Sequence, residues 1–195
     1  MNRTLRAMTL LLLVSSCGGT REFSAPRNLD DACSIVDQRP DYLDAFRETE
    51  RTWGVPVPVL MAMIYQESRF VGDARPPHRY ALGVIPVGRQ SSALGYSQAL
   101  DGTWEEYQAS RGGRRADRVD IDHATDFMGW YMTATRSELG IPLNDTRNQY
   151  LAYHDGRTGY RRGTYLDKPW LMRIAGELEA RAIVYDTQLR ACGRR

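Results

Sequence analysis

The sequence predicts a mainly helical protein with one folded domain. Apolar residues recur at steps of three and four through most of the chain, the pattern of a helix with one buried face. Glycine and proline interrupt that pattern where helices stop and start. Extended structure is confined to a short stretch near 81–87. At 195 residues, 42% hydrophobic and 26% charged, the composition is globular. That excludes a wholly disordered chain and a disulfide-dense miniprotein.

Segment 41–53 is amphipathic and closes at Gly54. Pro56 and Pro58 sit where the first turn of a helix tolerates a missing N–H, and the helix they open, 56–69, is the most apolar of the domain. Pro76, Pro77, Gly83, Pro86 and Gly88 make the next stretch a long irregular loop around 81–87. Periodicity resumes after Asp101, read as an N-cap, through Trp104 and Tyr107. A helix over 122–138 places Ala124, Phe127, Met128, Tyr131 and Thr135 on one face, and a shorter one over 145–154 ends near Gly156. In the last, 169–192, Leu171, Ile174, Leu178, Ala182, Tyr185, Leu189 and Cys192 share the buried stripe.

Ahead of the domain, Arg3 and Arg6 precede an apolar run over 7–14 that is too short for about 30 Å of hydrocarbon at about 1.5 Å per residue. Residues 1–16 therefore read as a signal peptide. The following Val14-Ser15-Ser16-Cys17-Gly18 resembles the lipobox of bacterial lipoproteins. The resemblance implies lipidation of Cys17 and, with Gly18 in place of Asp, the periplasmic face of a Gram-negative outer membrane; the residues of 17–32 read as a tether and 33–195 as the domain. An ordinary secretory signal with a coincidental cysteine stays open. With Cys17 carrying lipid, Cys33 and Cys192 remain as an even pair in an oxidising compartment and are expected to be bonded. There is no CxxC or HExxH, and His78, His123 and His154 are scattered, so no metal site is expected. Loss of Arg3 and Arg6 takes the formal net charge from +2 to zero, which leaves no charge argument for nucleic acid. Arginine clusters at 111–118 and 157–162 read as solvated faces, with guidance of an anionic polymer as the second reading.

Chemistry concentrates on Glu67. Leu60, Ile64 and Glu67 share a helix face, so a carboxylate ends an otherwise apolar stripe. Burial disfavours its charged form and suits it to donate a proton near neutral pH. A buried Glu satisfied by an arginine or by backbone donors is the competing structural reading. Gly95 permits close backbone approach, and Gln98 offers donor and acceptor together, as an amide ligand requires.

Glu67-Ser68, then Gly95-Tyr96-Ser97-Gln98, a Thr103-Trp104 helix start and Ala152-Tyr153-His154 resemble, in order and setting, the motifs of lytic transglycosylases with a soluble-transglycosylase (SLT) domain. The resemblance covers roughly 40–165. It implies a lysozyme-like, goose-type helical fold with an irregular or small extended segment beside a cleft. It makes Glu67 the sole catalytic acid and base, with Ser68 and Tyr153 positioning it, and makes Gly95, Tyr96, Ser97 and Gln98 line the sugar cleft. Tyr65, Tyr80 and His154 are further candidates to touch substrate; Trp104 is one too, or else core. The chain departs from the family pattern at Tyr96-Ser97, at His154 in place of Asn, and in the length of the segment between Glu67 and Gly95.

The implied substrate is peptidoglycan, cleaved at the MurNAc–GlcNAc β-1,4 bond. The 2-acetamido oxygen of the substrate replaces the second carboxylate that glycosidases ordinarily use, and the product ends are 1,6-anhydroMurNAc. No cofactor, no nucleic acid and a monomer are expected, with membrane contact through Cys17. Three alternatives stay open: a hydrolytic muramidase on the same scaffold, a non-catalytic peptidoglycan-binding lipoprotein, and a ligand-binding lipoprotein. The last would carry more strand.

Overall fold

A computed structural model of the chain describes residues 23–195. The expected signal peptide and the Cys17 lipidation site lie outside the described residues. Seven α-helices, one two-stranded hairpin and two short turns follow in order: α1 (Ala32–Gln38), α2 (Pro40–Trp53), α3 (Val57–Ser68), β1 (His78–Ala81), β2 (Ile85–Arg89), α4 (Asp101–Tyr107), a π-turn (Gln108–Gly112), α5 (Ile121–Leu139), α6 (Thr146–Arg162), a 3₁₀ turn (Thr164–Asp167) and α7 (Pro169–Ala191). The architecture is mainly helical, as the periodicity requires, and consistent with a lysozyme-like helical domain.

α3 is the centre. Every residue from 57 to 64 is buried, the mark of a helix surrounded by others. α7 packs along it with Leu171, Ala175, Leu178, Ala182, Tyr185 and Leu189 buried, while Ile174 is only partly covered. α2 lies on α5, and Gly129 permits their close approach: a Cβ there would come within 2.3 Å of the Trp53 ring. Helix ends follow local chemistry. Asp31, Asp120 and Asp145 accept hydrogen bonds from the first-turn N–H groups of α1, α5 and α6, and Gly54 and Gly140 end α2 and α5 in left-handed conformation.

Three boundaries differ from expectation. Asp101 is not the cap of α4 but its first residue, paired with Arg118 at 2.7 Å. α6 breaks at Gly156 (φ 73°, ψ 153°) and then resumes to Arg162. The described part of the expected tether is packed: Phe23 accepts from the Gly72 N–H, Leu29 from the Tyr185 hydroxyl, and Asp30 pairs with Arg181. The domain therefore includes residues before 33, with α1 as a helix that the sequence pattern did not reveal.

Cys33 and Cys192 form a disulfide across 159 residues, tying α1 to the end of α7. Its loss in an exported domain typically costs about 2–5 kcal/mol. Arg194 pairs with Asp37, and Arg195 with Glu50 and Asp186, on the same side. The described residues thus carry one continuous core and its covalent closure.

Candidate active site

Glu67 lies in the last turn of α3, three residues past the end of the buried run at Ile64. Its side chain is partly buried, and loss of hydration pushes its carboxyl up from an ordinary 4.5 to about 8. Desolvation accounts for the shift: among the described residues no arginine lowers it and no second carboxylate raises it. The charge of Glu67 is felt by two hydroxyls of α6, Tyr150 and Tyr153, whose own pKa values burial raises first and Glu67 raises further. At neutral pH this carboxyl keeps its proton in a tyrosine-rich, low-dielectric corner, the state a general acid needs.

The turn 95–98 is linked to that corner through Tyr153, which senses Glu67 and hydrogen-bonds Ser97. Gly95 adopts φ +80°, and a Cβ on it would lie 1.9 Å from the Arg118 carbonyl oxygen, so only glycine fits. Its backbone is approached by the loop before α5, which corrects the expectation of a sugar at that point. Ala74 anchors the turn by accepting from the Gly95 N–H (3.0 Å) and from Gln98 Nε2 (2.9 Å). Gln98 also donates to the Gly95 carbonyl (2.9 Å). Tyr153 donates to the Ser97 carbonyl at 2.6 Å and packs edge-on against Tyr131 and Phe127. Its ring thus bridges α6, α5 and the turn.

Several expected contacts go elsewhere. Tyr96 is a core residue: it is 2% exposed, and its hydroxyl is hydrogen-bonded to that of Tyr42 at 3.0 Å. Ser97 is fully buried, and its hydroxyl has no partner among the described residues. Ser68 donates back to the Ile64 carbonyl at 3.2 Å, so its hydroxyl serves the helix end rather than Glu67. Tyr153 likewise gives its proton to Ser97, not to Glu67. Tyr65, two residues from Glu67, leaves α3 on the opposite side. There its ring is flanked by the guanidinium groups of Arg69 (4.0 Å) and Arg181 (3.5 Å), in a cavity of about 380 Å³ against α7. Tyr80 stands on the hairpin, and Trp104 is core.

Gln98, Tyr153 and His154 do converge. With Thr103, Tyr131 and Asp155 they line a cavity of about 270 Å³. His154 is on its rim, edge-on to Trp170 at 5.2 Å, and partial burial lowers its pKa despite the neighbouring Asp155. Trp170 and Leu100, both about half exposed, extend this apolar rim and were missed by sequence reasoning. For Trp170 a signal existed: it precedes Leu171 and falls off the buried stripe of α7, where a tryptophan has no core to fill. Asp155 is held by Lys168 and Thr164, and Asp101 by Arg118, so both carboxylates have structural partners.

A family model described as the transglycosylase SLT domain matches residues 5–192. The chain belongs to this family. No curated protein and no solved structure matches it. The family is one of peptidoglycan lytic transglycosylases, so this SLT domain is assigned glycan cleavage in general terms. The arginine clusters of this SLT domain are largely occupied: Arg157 and Arg161 pair with Glu138, Arg118 with Asp101, and Arg111 lies over the Trp53 ring.

Proposed function

We propose that this SLT domain cleaves the MurNAc–GlcNAc β-1,4 bond with Glu67 as its single general acid and base, leaving 1,6-anhydroMurNAc ends. Glu67 gives its proton to the glycosidic oxygen of the departing GlcNAc. The 2-acetamido oxygen of MurNAc attacks C1 as that bond breaks. Glu67, now a carboxylate, takes the proton of the C6 hydroxyl, and O6 displaces the acetamido oxygen from C1. The carboxyl ends the cycle protonated, and no water is consumed. An intramolecular hydroxyl has a large effective concentration over solvent. Gln98 and His154 line the wall for the acetamido and hydroxyl groups, and Tyr153 holds the turn. The site is carried by a lipoprotein anchored through Cys17 at the periplasmic face of the outer membrane, acting as a monomer.

The observation that carries this reading is the carboxyl of Glu67, raised to about 8 by burial with no second carboxylate among the described residues acting on it. A retaining glycosidase pair about 5 Å apart would couple strongly. The test is digestion of purified sacculi. Wild type should release muramyl ends lighter by one water and resistant to borohydride, with turnover falling as pH rises through about 8 and Glu67 ionises. Glu67→Gln should lose about 10²–10⁴-fold of the rate while keeping the fold. Reducible ends would mean that water reaches the intermediate first. Absence of turnover would leave a binding protein.

A further inference from the structure

The hairpin β1–β2 departs from the rest of the fold. Leu82 is 91% and Val84 76% exposed, and Tyr80, Ile85 and Val87 are each more than half exposed. Tyr80 pairs across the ladder with Pro86, and Ala81 with Ile85, so apolar side chains occupy both faces as well as the tip. A hairpin docking on one flat partner keeps its other face polar; this one is apolar on both faces from Tyr80 to Val87. From 74 to 100 the chain has no acidic residue but carries Arg75, Arg79 and Arg89. None of the three pairs with a carboxylate among the described residues, and Arg89 donates to the Pro76 carbonyl at 2.7 Å. Pro86 removes a donor from β2 and blunts edge pairing with a second copy.

We propose that this hairpin docks on an anionic phospholipid surface. The tip, 81–85, enters the boundary between headgroups and acyl chains, and Arg75, Arg79 and Arg89 meet the phosphates. Arg79 lies four residues from the turn glycine Gly83, about 13 Å along an extended strand. Interfacial elements sink about 5–10 Å, which leaves its guanidinium at headgroup level. An isotropic apolar medium accepts a tip apolar on both faces, and a basic collar without acids matches a surface that is negative. The hairpin root adjoins the candidate site, since Ala74 anchors the 95–98 turn. Docking therefore sets the height and tilt of the cleft over the membrane. This proposal stands independently of lipidation at Cys17 and of the reaction product.

The test uses residues 23–195, which hold the whole described core and the disulfide, in flotation with phosphatidylglycerol or phosphatidylcholine vesicles. Binding to the anionic vesicles should exceed that to the neutral ones by at least about tenfold and weaken with salt. The combined Leu82→Ser, Val84→Ser and Ile85→Ser variant should lose about tenfold of vesicle binding with unchanged melting temperature and sacculus turnover. Arg79→Gln with Arg89→Gln should weaken binding to anionic vesicles only. In a separate Leu82→Trp variant, emission should shift to the blue on adding anionic vesicles. Failure of the wild type to float, or an unshifted Leu82→Trp spectrum, overturns the proposal. So does loss of sacculus binding or of self-association in the serine variant in place of loss of vesicle binding; those outcomes would assign the hairpin to glycan or to a second copy.

Discussion

Two apolar runs of this chain, 57–64 in α3 and 81–87 in the hairpin, have similar composition and opposite fates. The first is buried at every residue, and none of the second is. What separates them is company. α3 has α2 and α7 against it, while β1 and β2 mainly meet each other. An apolar run becomes core only where other elements bring faces to it. The same enclosure raises the pKa of Glu67, because the atoms that bury α3 also strip water from the carboxyl at its end. The hairpin keeps its apolar surface available instead.

Four measurements bear on that contrast, in falling order of expected effect. Leu60→Ala, at the centre of the enclosed run, should cost about 2–5 kcal/mol in denaturant unfolding. A cost below about 1 kcal/mol would mean that α3 is not the packed centre. Gly95→Ala should cost about 3 kcal/mol, combining the left-handed φ with the collision against Arg118, and should lower glycan turnover alongside the melting temperature. A neutral result would remove the tight turn from the site.

Glu67→Gln sharpens the comparison through pH. The folded carboxyl titrates near 8 and the unfolded one near 4.5, so between these values the native state binds more protons than the unfolded state, and stability falls as pH rises. Gln has no such penalty. The variant should therefore be more stable than wild type by about 3 kcal/mol at pH 7, with the difference vanishing below about pH 4. A constant difference across that range would show that the carboxyl is not desolvated. The smallest effect belongs to the hairpin: Leu82→Ser should change stability by less than about 0.5 kcal/mol. A cost approaching that of Leu60→Ala would mean that the hairpin is packed and the two runs are alike.

Much of the helical framework was legible from sequence. The α2, α3, α5 and α7 boundaries fall within about a residue of expectation because their periodicity, prolines and terminal glycines are local signals. Glu67 was legible for the same reason, as a carboxylate interrupting an apolar face. α1 escaped because seven residues hold too few turns for a period to show. Tyr96 misled because a tyrosine suits a sugar and a core equally well; only the position of Tyr42, 54 residues earlier, decides between them.

By itself, then, the sequence determined where helices start and stop, that two cysteines near the ends could close the domain, and that one carboxyl would end the most apolar helix. Only the tertiary structure decided that desolvation raises Glu67 to about 8, that Tyr153 gives its hydroxyl to Ser97, that Gly95 answers to Arg118, and that the hairpin is left uncovered. The physical reason is range. Backbone propensity and periodicity act over a few residues, whereas burial and the identity of a hydrogen-bond partner are set by segments that meet only when the chain has folded.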